Sequence, residues 1–216
     1  MTEGRKKRTY NSRDRLEKAR STTADIAKAA EALFQRDGYA GVTMKDIARA
    51  AGVAPATVYL HFPSKAKIVE ALAMDVTSAP DLSVEHLEGE PASNRQLQIG
   101  ASIMRRLNER SWLVVEIVRA HAGADPELKT LGEEWRRRHL DAVTRGVQAM
   151  TSAGELRPGL SIEDAIDLMY AIGGTDLYRS LVRERGWSPE RYEAWLIDFA
   201  TSYLLTDANP TERPGA

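Results

Sequence analysis

Residues 44–61, with the sequence MKDIARAAGVAPATVYLH, decide the fold of this 216-residue chain. Thr43 precedes this stretch and Asp46 follows three positions later, which is the spacing of a capping box at a helix start. Residues 51–53, Ala-Gly-Val, then place a glycine where the chain must turn sharply. Pro55 is tolerated in the first turn of a helix, so a second helix can start there. The stretch predicts two short helices in a helix-turn-helix arrangement.

The second of these helices carries side chains suited to the major groove of DNA. Thr57, Tyr59 and His61 can donate hydrogen bonds to phosphates or base edges, and Ala56 and Leu60 offer compact apolar surface for a thymine methyl group. The next helix begins near Lys65, where the helix N-terminus and the ammonium group both favour an anion. An ordinary pair of short core helices is the alternative interpretation of the spacing.

The charge distribution separates the chain into two parts. Residues 1–74 hold 14 Lys and Arg against 8 Asp and Glu, whereas residues 75–216 hold 16 against 23, although the net charge of the whole chain is −1. A basic first third and an acidic remainder indicate parts with different partners. Uneven surface charge without a function would give the same numbers.

The most basic segment is 1–21, which we expect to be a flexible arm or a frayed helix because it contains few apolar side chains. Residues 5–8, Arg-Lys-Lys-Arg, could enter a minor groove beside the helix-turn-helix. A solvated tail that attracts DNA only at long range is the alternative.

The remaining periodicity is helical throughout. From Thr22 a first helix has its apolar face at Ile26, Ala30, Leu33 and Phe34. Further helices are predicted at 94–109, 112–121, 126–153, 161–185 and 189–205, with a close crossing or kink at the adjacent Gly173 and Gly174. No hairpin turn between alternating apolar runs occurs, so the predicted fold is all-α with about nine helices.

Several functional classes are excluded by composition. The chain has no cysteine, which removes disulfide, iron–sulfur and thiolate–zinc chemistry, and its four histidines lack the spacing of metal ligands. The longest uncharged stretch, 50–64, is 15 residues long and too short for a membrane span, which needs about 20. We find no catalytic motif and expect no cofactor and no enzyme activity. With a charged N-terminus, we expect a cytoplasmic protein.

Residues 24–72 resemble the DNA-binding domain of the TetR family of bacterial repressors. The resemblance rests on Leu33-Phe34, Gly38-Tyr39, Ile47-Ala48, the 51–53 turn and Phe62 with Ser64-Lys65, and a segment at 184–193 is also similar to family members. Ala54 departs from the family pattern, in which serine or threonine often opens the recognition helix. The DNA-contacting residues that follow from the motif and the resemblance are Thr43, Lys45, Pro55, Ala56, Thr57, Tyr59, Leu60, His61 and Lys65.

The resemblance also implies that the last two helices form a dimer interface, and both are apolar on more than one face. The expected interface residues are Ile172, Leu181, Trp195, Phe199 and Tyr203. The middle helices would enclose a small-molecule pocket, because they combine large apolar side chains with a few polar groups. The candidate pocket residues are Met104, Leu107, Trp112, Glu116, Arg119, Trp135, Arg138, His139, Met169 and Tyr170.

The sequence therefore predicts an arm (1–21), a helix-turn-helix domain (22–74), a ligand-binding and dimerisation domain (75–210) and a tail (211–216). The predicted function is a homodimeric repressor that a small-molecule effector releases from a palindromic DNA operator. A DNA-binding protein that needs no effector or that activates transcription stays open, as does a helical enzyme that carries a helix-turn-helix head.

Overall fold

The computed structural model describes residues 3–82 and 94–205, and over these residues it confirms the predicted all-α class. The α-helices are α1 (Glu3–Asp37), α2 (Met44–Ala50), α3 (Pro55–His61), α4 (Lys65–Thr77), α5 (Asn94–His121), α6 (Pro126–Ser152), α7 (Ile162–Gly173), α8 (Thr175–Tyr178) and α9 (Pro189–Leu204). A 3₁₀ turn spans Pro80–Leu82, and a π-helical segment spans Arg179–Glu184. The predicted tail and residues 83–93 of the predicted linking loop lie outside the described residues. None of the described helices is long and apolar enough to cross a membrane.

The chain divides into two compact units, Met1–Asp75 and Val76–Ala216. In the first unit the predicted apolar face of α1 is buried, with Ile26, Ala30, Leu33 and Phe34 at most 7% exposed. The Phe34 ring lies 5.3 Å from the Tyr39 ring in the loop that follows. Helix α2 packs against both α1 and α3, so the helix-turn-helix rests on a core that α1 supplies.

Helix α1 begins at Glu3, which corrects the predicted start at Thr22. Residues 5–20 contain neither proline nor glycine and include eight Arg and Lys residues, which have high helix propensity. Asp14 also precedes Lys18 by four positions, a spacing that stabilises a helix. These local preferences continue the helix beyond the residues that reach the core. The side chains of residues 5–8 lie outside those described.

Helix α5 is continuous, although the sequence predicted a break between 109 and 112. Ser111 lies inside the predicted break, and serine often caps helices. Instead, the Ser111 hydroxyl donates to the Leu107 carbonyl oxygen at 2.7 Å, one turn back in the same helix. A serine bonded in this way is accommodated inside a helix.

The predicted helix 161–185 is interrupted at its glycine pair. Helix α7 ends at Gly173, and Gly174 has an extended backbone, with φ −71° and ψ 154°. A Cβ atom on Gly173 would lie 3.2 Å from the His139 Nε2 atom, so a close crossing and a break both occur here. The Tyr192 hydroxyl donates to the Ile172 carbonyl oxygen at 3.1 Å and satisfies an acceptor at the end of α7. Burial raises the pKa of Tyr192, so this hydroxyl keeps its proton.

Three helices of the second unit begin at the predicted residues. The side chains of Asp125, Ser161 and Ser188 each accept a hydrogen bond from a backbone N–H in the first turn of α6, α7 and α9. The helices enclose two apolar clusters, and helix α9 contributes to both. The first contains Leu97, Val147, Met150, Ala165, Ala200 and Leu204, and the second contains Ala101, Ile172, Tyr178, Tyr192 and Leu196.

Candidate nucleic-acid interface and effector region

The first helix of the motif starts at the predicted capping box. The Thr43 hydroxyl accepts from the Asp46 backbone N–H at 3.2 Å, and the Asp46 carboxylate accepts from the Thr43 backbone N–H at 3.0 Å. The Thr43 hydroxyl also donates to this carboxylate at 2.5 Å. These hydrogen bonds hold the pKa of Asp46 below its usual value, so the cap stays intact at neutral pH.

The turn between α2 and α3 has the predicted geometry. Gly52 has a φ of +69°, in the left-handed region that favours glycine. The Val53 backbone N–H donates to the Ala48 carbonyl oxygen at 3.0 Å, which closes the end of α2. Ile47, Ala48 and Val58 are at most 1% exposed, so the two helices meet through buried small and branched side chains.

Helix α3 turns a partly apolar face away from this core. Tyr59 is 53% exposed and Leu60 is 82% exposed, although both are large side chains on a seven-residue helix. Pro55 and Ala56 are also exposed, Thr57 is half-buried, and Lys45 on α2 is exposed. An exposed apolar patch on a small unit marks an interaction surface. The candidate DNA-contacting residues of α3 thus lie on an accessible face.

Ala54 is the N-cap of α3 and makes no side-chain hydrogen bond to the helix. Ala54→Ser is expected to stabilise the N-terminal unit by about 1 kcal/mol, because a serine hydroxyl at this position accepts a free N–H of the first turn. Thermal unfolding followed by circular dichroism measures the change. Ala54→Val supplies a side chain without an acceptor and should not stabilise the unit. Equal melting temperatures for the serine and valine variants would contradict the missing cap.

The Lys65 ammonium has a structural role that the sequence did not reveal. Its Nζ atom donates to the Tyr39 carbonyl oxygen at 2.6 Å and lies 4.3 Å from the centre of the Tyr39 ring. These contacts join the start of α4 to the loop after α1. The phosphate contact expected of Lys65 stays a prediction.

His61, at the end of α3, also contacts α1. Its Nδ1 atom lies 2.8 Å from the Thr23 hydroxyl oxygen, and this pair is partly buried. The two residues are 38 positions apart, so no local pattern in the sequence indicates that they meet.

In the second unit, part of the predicted pocket set converges around Gly173. The His139 ring stacks on the Tyr170 ring at a centroid distance of 4.9 Å, and the Met104 methyl group lies on the same side of Gly173. The Nε2 atom of His139 is buried and has no hydrogen-bond partner within the described part of the chain. Burial lowers the pKa of His139, so the imidazole is neutral at pH 7.

Two arginines of the predicted pocket do not join this group. Arg119 pairs with Glu116 at 2.8 Å and Arg138 pairs with Glu134, each within its own helix. Their side chains are 50% and 61% exposed, and their place in an effector pocket stays a prediction. Pairs at i, i+3 and i, i+4 form within one helix, because the two side chains lie on the same face.

The other candidate pocket residues are partly buried. The Trp112 ring lies 6.4 Å from the Tyr178 ring, with the Arg183 guanidinium 4.6 Å from its centre. Met169 packs against both apolar clusters of the unit. Leu107 and Trp135 are partly buried as well.

Helix α9 carries two neighbouring apolar rows. The inner row, Tyr192, Leu196, Ala200 and Leu204, is at most 4% exposed. The outer row, Trp195, Phe199 and Tyr203, remains partly exposed, with ring centroids 5.4 Å and 5.7 Å apart along the row. Leu181 on the π-helical segment is also partly exposed. Ile172, an expected interface residue, is 7% exposed and packs in the core of its own chain.

An all-α chain with a basic N-terminal helix-turn-helix, whose second helix exposes its polar and apolar side chains, is a DNA-binding transcriptional regulator. Residues 20–72 match the family model of bacterial regulatory proteins of the tetR family. The N-terminal domain of the chain is thus similar to the DNA-binding domain of this family.

Proteins with sequences similar to this chain are named as regulators of transcription. The chain is 28% identical over 163 residues to ArpR of Pseudomonas putida, a probable HTH-type transcriptional regulator, and the match covers 72% of this chain and 78% of ArpR. It is 46% identical over 56 residues to the HTH-type transcriptional regulator TtgR of P. putida, but this match covers only 26% of this chain and 27% of TtgR.

The whole fold matches that of solved structures. The complex of SmeT with triclosan superposes with a TM-score of 0.73 at 22% identity, covering 91% of this chain and 98% of SmeT. SmeT is the repressor of the Stenotrophomonas maltophilia multidrug efflux pump SmeDEF. At 22% sequence identity, the similarity between this structure and SmeT shows a shared fold alone.

Proposed function

We propose that this regulator is a homodimeric repressor that binds a palindromic operator and leaves it when a small molecule binds the second unit. The observation that carries the DNA function is the exposed face of α3, where Tyr59 and Leu60 lie beside a buried Val58. Among the side chains that the structure describes in the first unit, none covers these two large side chains. In the proposal 22–74 is the DNA-binding domain, 75–210 is the effector and dimerisation domain, and 1–21 is an N-terminal basic extension that attracts DNA.

In this proposal α3 enters the major groove and the residues around it bind the phosphates. The N-terminal residues of a recognition helix contact base edges, which assigns that role to Pro55, Ala56 and Thr57. Phosphate contacts would come from both ends of the motif. The full proposed set is Thr43, Lys45, Pro55, Ala56, Thr57, Tyr59, Leu60, His61 and Lys65.

A dimer is proposed because one seven-residue helix reaches too few base pairs to define an operator. A two-fold symmetric pair reads both halves of a palindrome. The partly exposed row of Trp195, Phe199 and Tyr203, with Leu181 beside it, is the surface we assign to the second copy. Dimerisation is typical of the family, which supports this assignment.

The proposed effector is a small, largely apolar molecule that carries a hydrogen-bonding group. Tyr170 and Met104 supply an apolar surface, and the His139 Nε2 atom supplies the unpartnered polar atom that such a group would engage. The binding of triclosan by SmeT is consistent with this class. The effector acts only if it binds the released conformation more tightly than the DNA-bound one. In this proposal the second unit binds the effector and releases it unchanged, as expected of a regulator.

The proposal is tested by footprinting the purified protein on the chromosomal DNA around its own gene. We expect protection of two inverted half-sites separated by about one helical turn or a multiple of it. Binding should weaken as salt increases, and an apolar small molecule from a screened panel should release it. Absence of any protected site would contradict the DNA function. An operator complex that no compound releases would contradict the effector alone.

His139→Leu is expected to raise the stability of the protein and to weaken its response to the effector. Replacing the unpartnered imidazole with an apolar side chain removes a buried polar atom that costs about 1–3 kcal/mol. The melting temperature should rise by roughly 2–6 °C, and the effector concentration for half-release should rise at least tenfold. Calorimetry and operator-release titrations measure the two effects. His139→Gln retains a polar group and serves as the control. A leucine variant with normal effector response would exclude His139 as the anchor.

A further inference from the structure

We propose that Thr23 is a positioning residue that orients His61, so that the His61 Nε2 atom donates a hydrogen bond to a backbone phosphate of the operator. The inference rests on the proposed DNA function and extends it to α1, which the motif and the family resemblance leave without a contact. The group that His61 would bind is a phosphate of the DNA backbone, at the C-terminal end of α3.

The hydrogen bonds around Thr23 determine which edge of the imidazole faces outward. The Thr23 hydroxyl oxygen lies 2.8 Å from His61 Nδ1 and donates to the Ala19 carbonyl oxygen at 2.9 Å. It therefore connects His61 to the backbone of α1. Since Nδ1 faces α1, the ring presents its opposite nitrogen, Nε2, on the other side.

The hydrogen bonds of Thr23 decide which edge of the imidazole can donate. When the Thr23 hydroxyl donates to Ala19, it can only accept from Nδ1–H, and Nε2 of a neutral ring is then an acceptor. When the hydroxyl turns to donate to Nδ1, the ring hydrogen lies on Nε2. A phosphate oxygen only accepts hydrogen bonds, so its binding selects this second arrangement.

The position of His61 favours phosphate over a base edge. His61 is the last residue of α3, whereas the N-terminal residues of a recognition helix lie deepest in the groove. The partner of His61, Thr23, lies on α1, outside the two helices of the motif. Within the described part of the chain, the side-chain hydrogen bond of His61 is made by Nδ1.

The test combines protein variants with single phosphates made neutral by methylphosphonate substitution in the footprinted operator. In the wild-type protein one phosphate in each half-site should be sensitive to this change. Thr23→Val keeps the β-branched shape without the hydroxyl, and His61→Asn keeps a group near Nδ1 but loses Nε2. Each variant should bind about fivefold more weakly per half-site, about 25-fold for the dimer, and should lose sensitivity at that one phosphate.

Two rescue variants distinguish positioning from a general structural role. Thr23→Ser restores the hydroxyl and should restore both affinity and phosphate sensitivity. His61→Gln places an amide near the Nε2 position, so a further Thr23→Val change should have little effect on it. The proposal would be overturned if Thr23→Val lowered the sensitivity to every phosphate equally. It would also be overturned if the variants lost sensitivity to a base pair and not to a phosphate. If the wild-type protein binds no DNA, the proposed function itself fails.

Discussion

Ala56→Glu is expected to lower operator affinity at least a thousandfold while the N-terminal unit stays folded. Ala56 is exposed and is the second residue of α3. A carboxylate in the first turn of a helix interacts favourably with the helix dipole, so it does not destabilise α3. The same carboxylate in the major groove would lie among phosphates of like charge. A penalty of about 2 kcal/mol per protomer gives a thousandfold loss for a dimer.

Fluorescence anisotropy with a labelled operator measures this loss, and circular dichroism checks the fold. Ala56→Gln adds the same bulk without charge and should retain more affinity than the glutamate variant. Ala32→Glu introduces the same charge at an exposed position of α1 in the same unit. It should bind within a few fold of the wild-type protein. Wild-type affinity of the Ala56→Glu variant would show that α3 does not face DNA.

The helix-turn-helix was predictable because its determinants are local. The Thr43–Asp46 cap spans four residues, and the Gly52 turn depends on one backbone conformation. The apolar period of α1 likewise lies within two turns of Ile26. Each of these features needs only neighbouring residues, so the sequence alone indicates them.

Contacts between distant elements were not predictable in this way. The Thr23–His61 and Lys65–Tyr39 hydrogen bonds join residues that are 38 and 26 positions apart. Ile172 illustrates a second limit of periodicity, because an apolar helix face can pack against its own chain or against a partner. The sequence shows that such a face is apolar but not which neighbour covers it. Ile172 is buried by its own chain, whereas the outer row of α9 stays partly exposed within that chain.

Phe199→Glu is expected to convert the protein to a monomer and to reduce operator affinity at least a hundredfold. Phe199 is the central residue of the outer row on α9, between Trp195 and Tyr203. In a two-fold dimer the substitution removes two aromatic contacts, each worth about 1.5–3 kcal/mol of burial. It also places two carboxylates in an apolar interface without partners. The dimer dissociation constant should therefore rise at least a hundredfold.

The loss of DNA binding follows from the loss of the dimer, because each monomer reads only one half-site. Sedimentation and operator titrations on the same samples should therefore change together. Ala194→Glu is the matched control, since it adds the same charge to an exposed position on α9 away from the outer row. It should remain dimeric and bind operator normally. A dimeric Phe199→Glu variant with normal operator affinity would place the subunit interface elsewhere, whereas a monomer that still binds tightly would contradict the two-half-site arrangement.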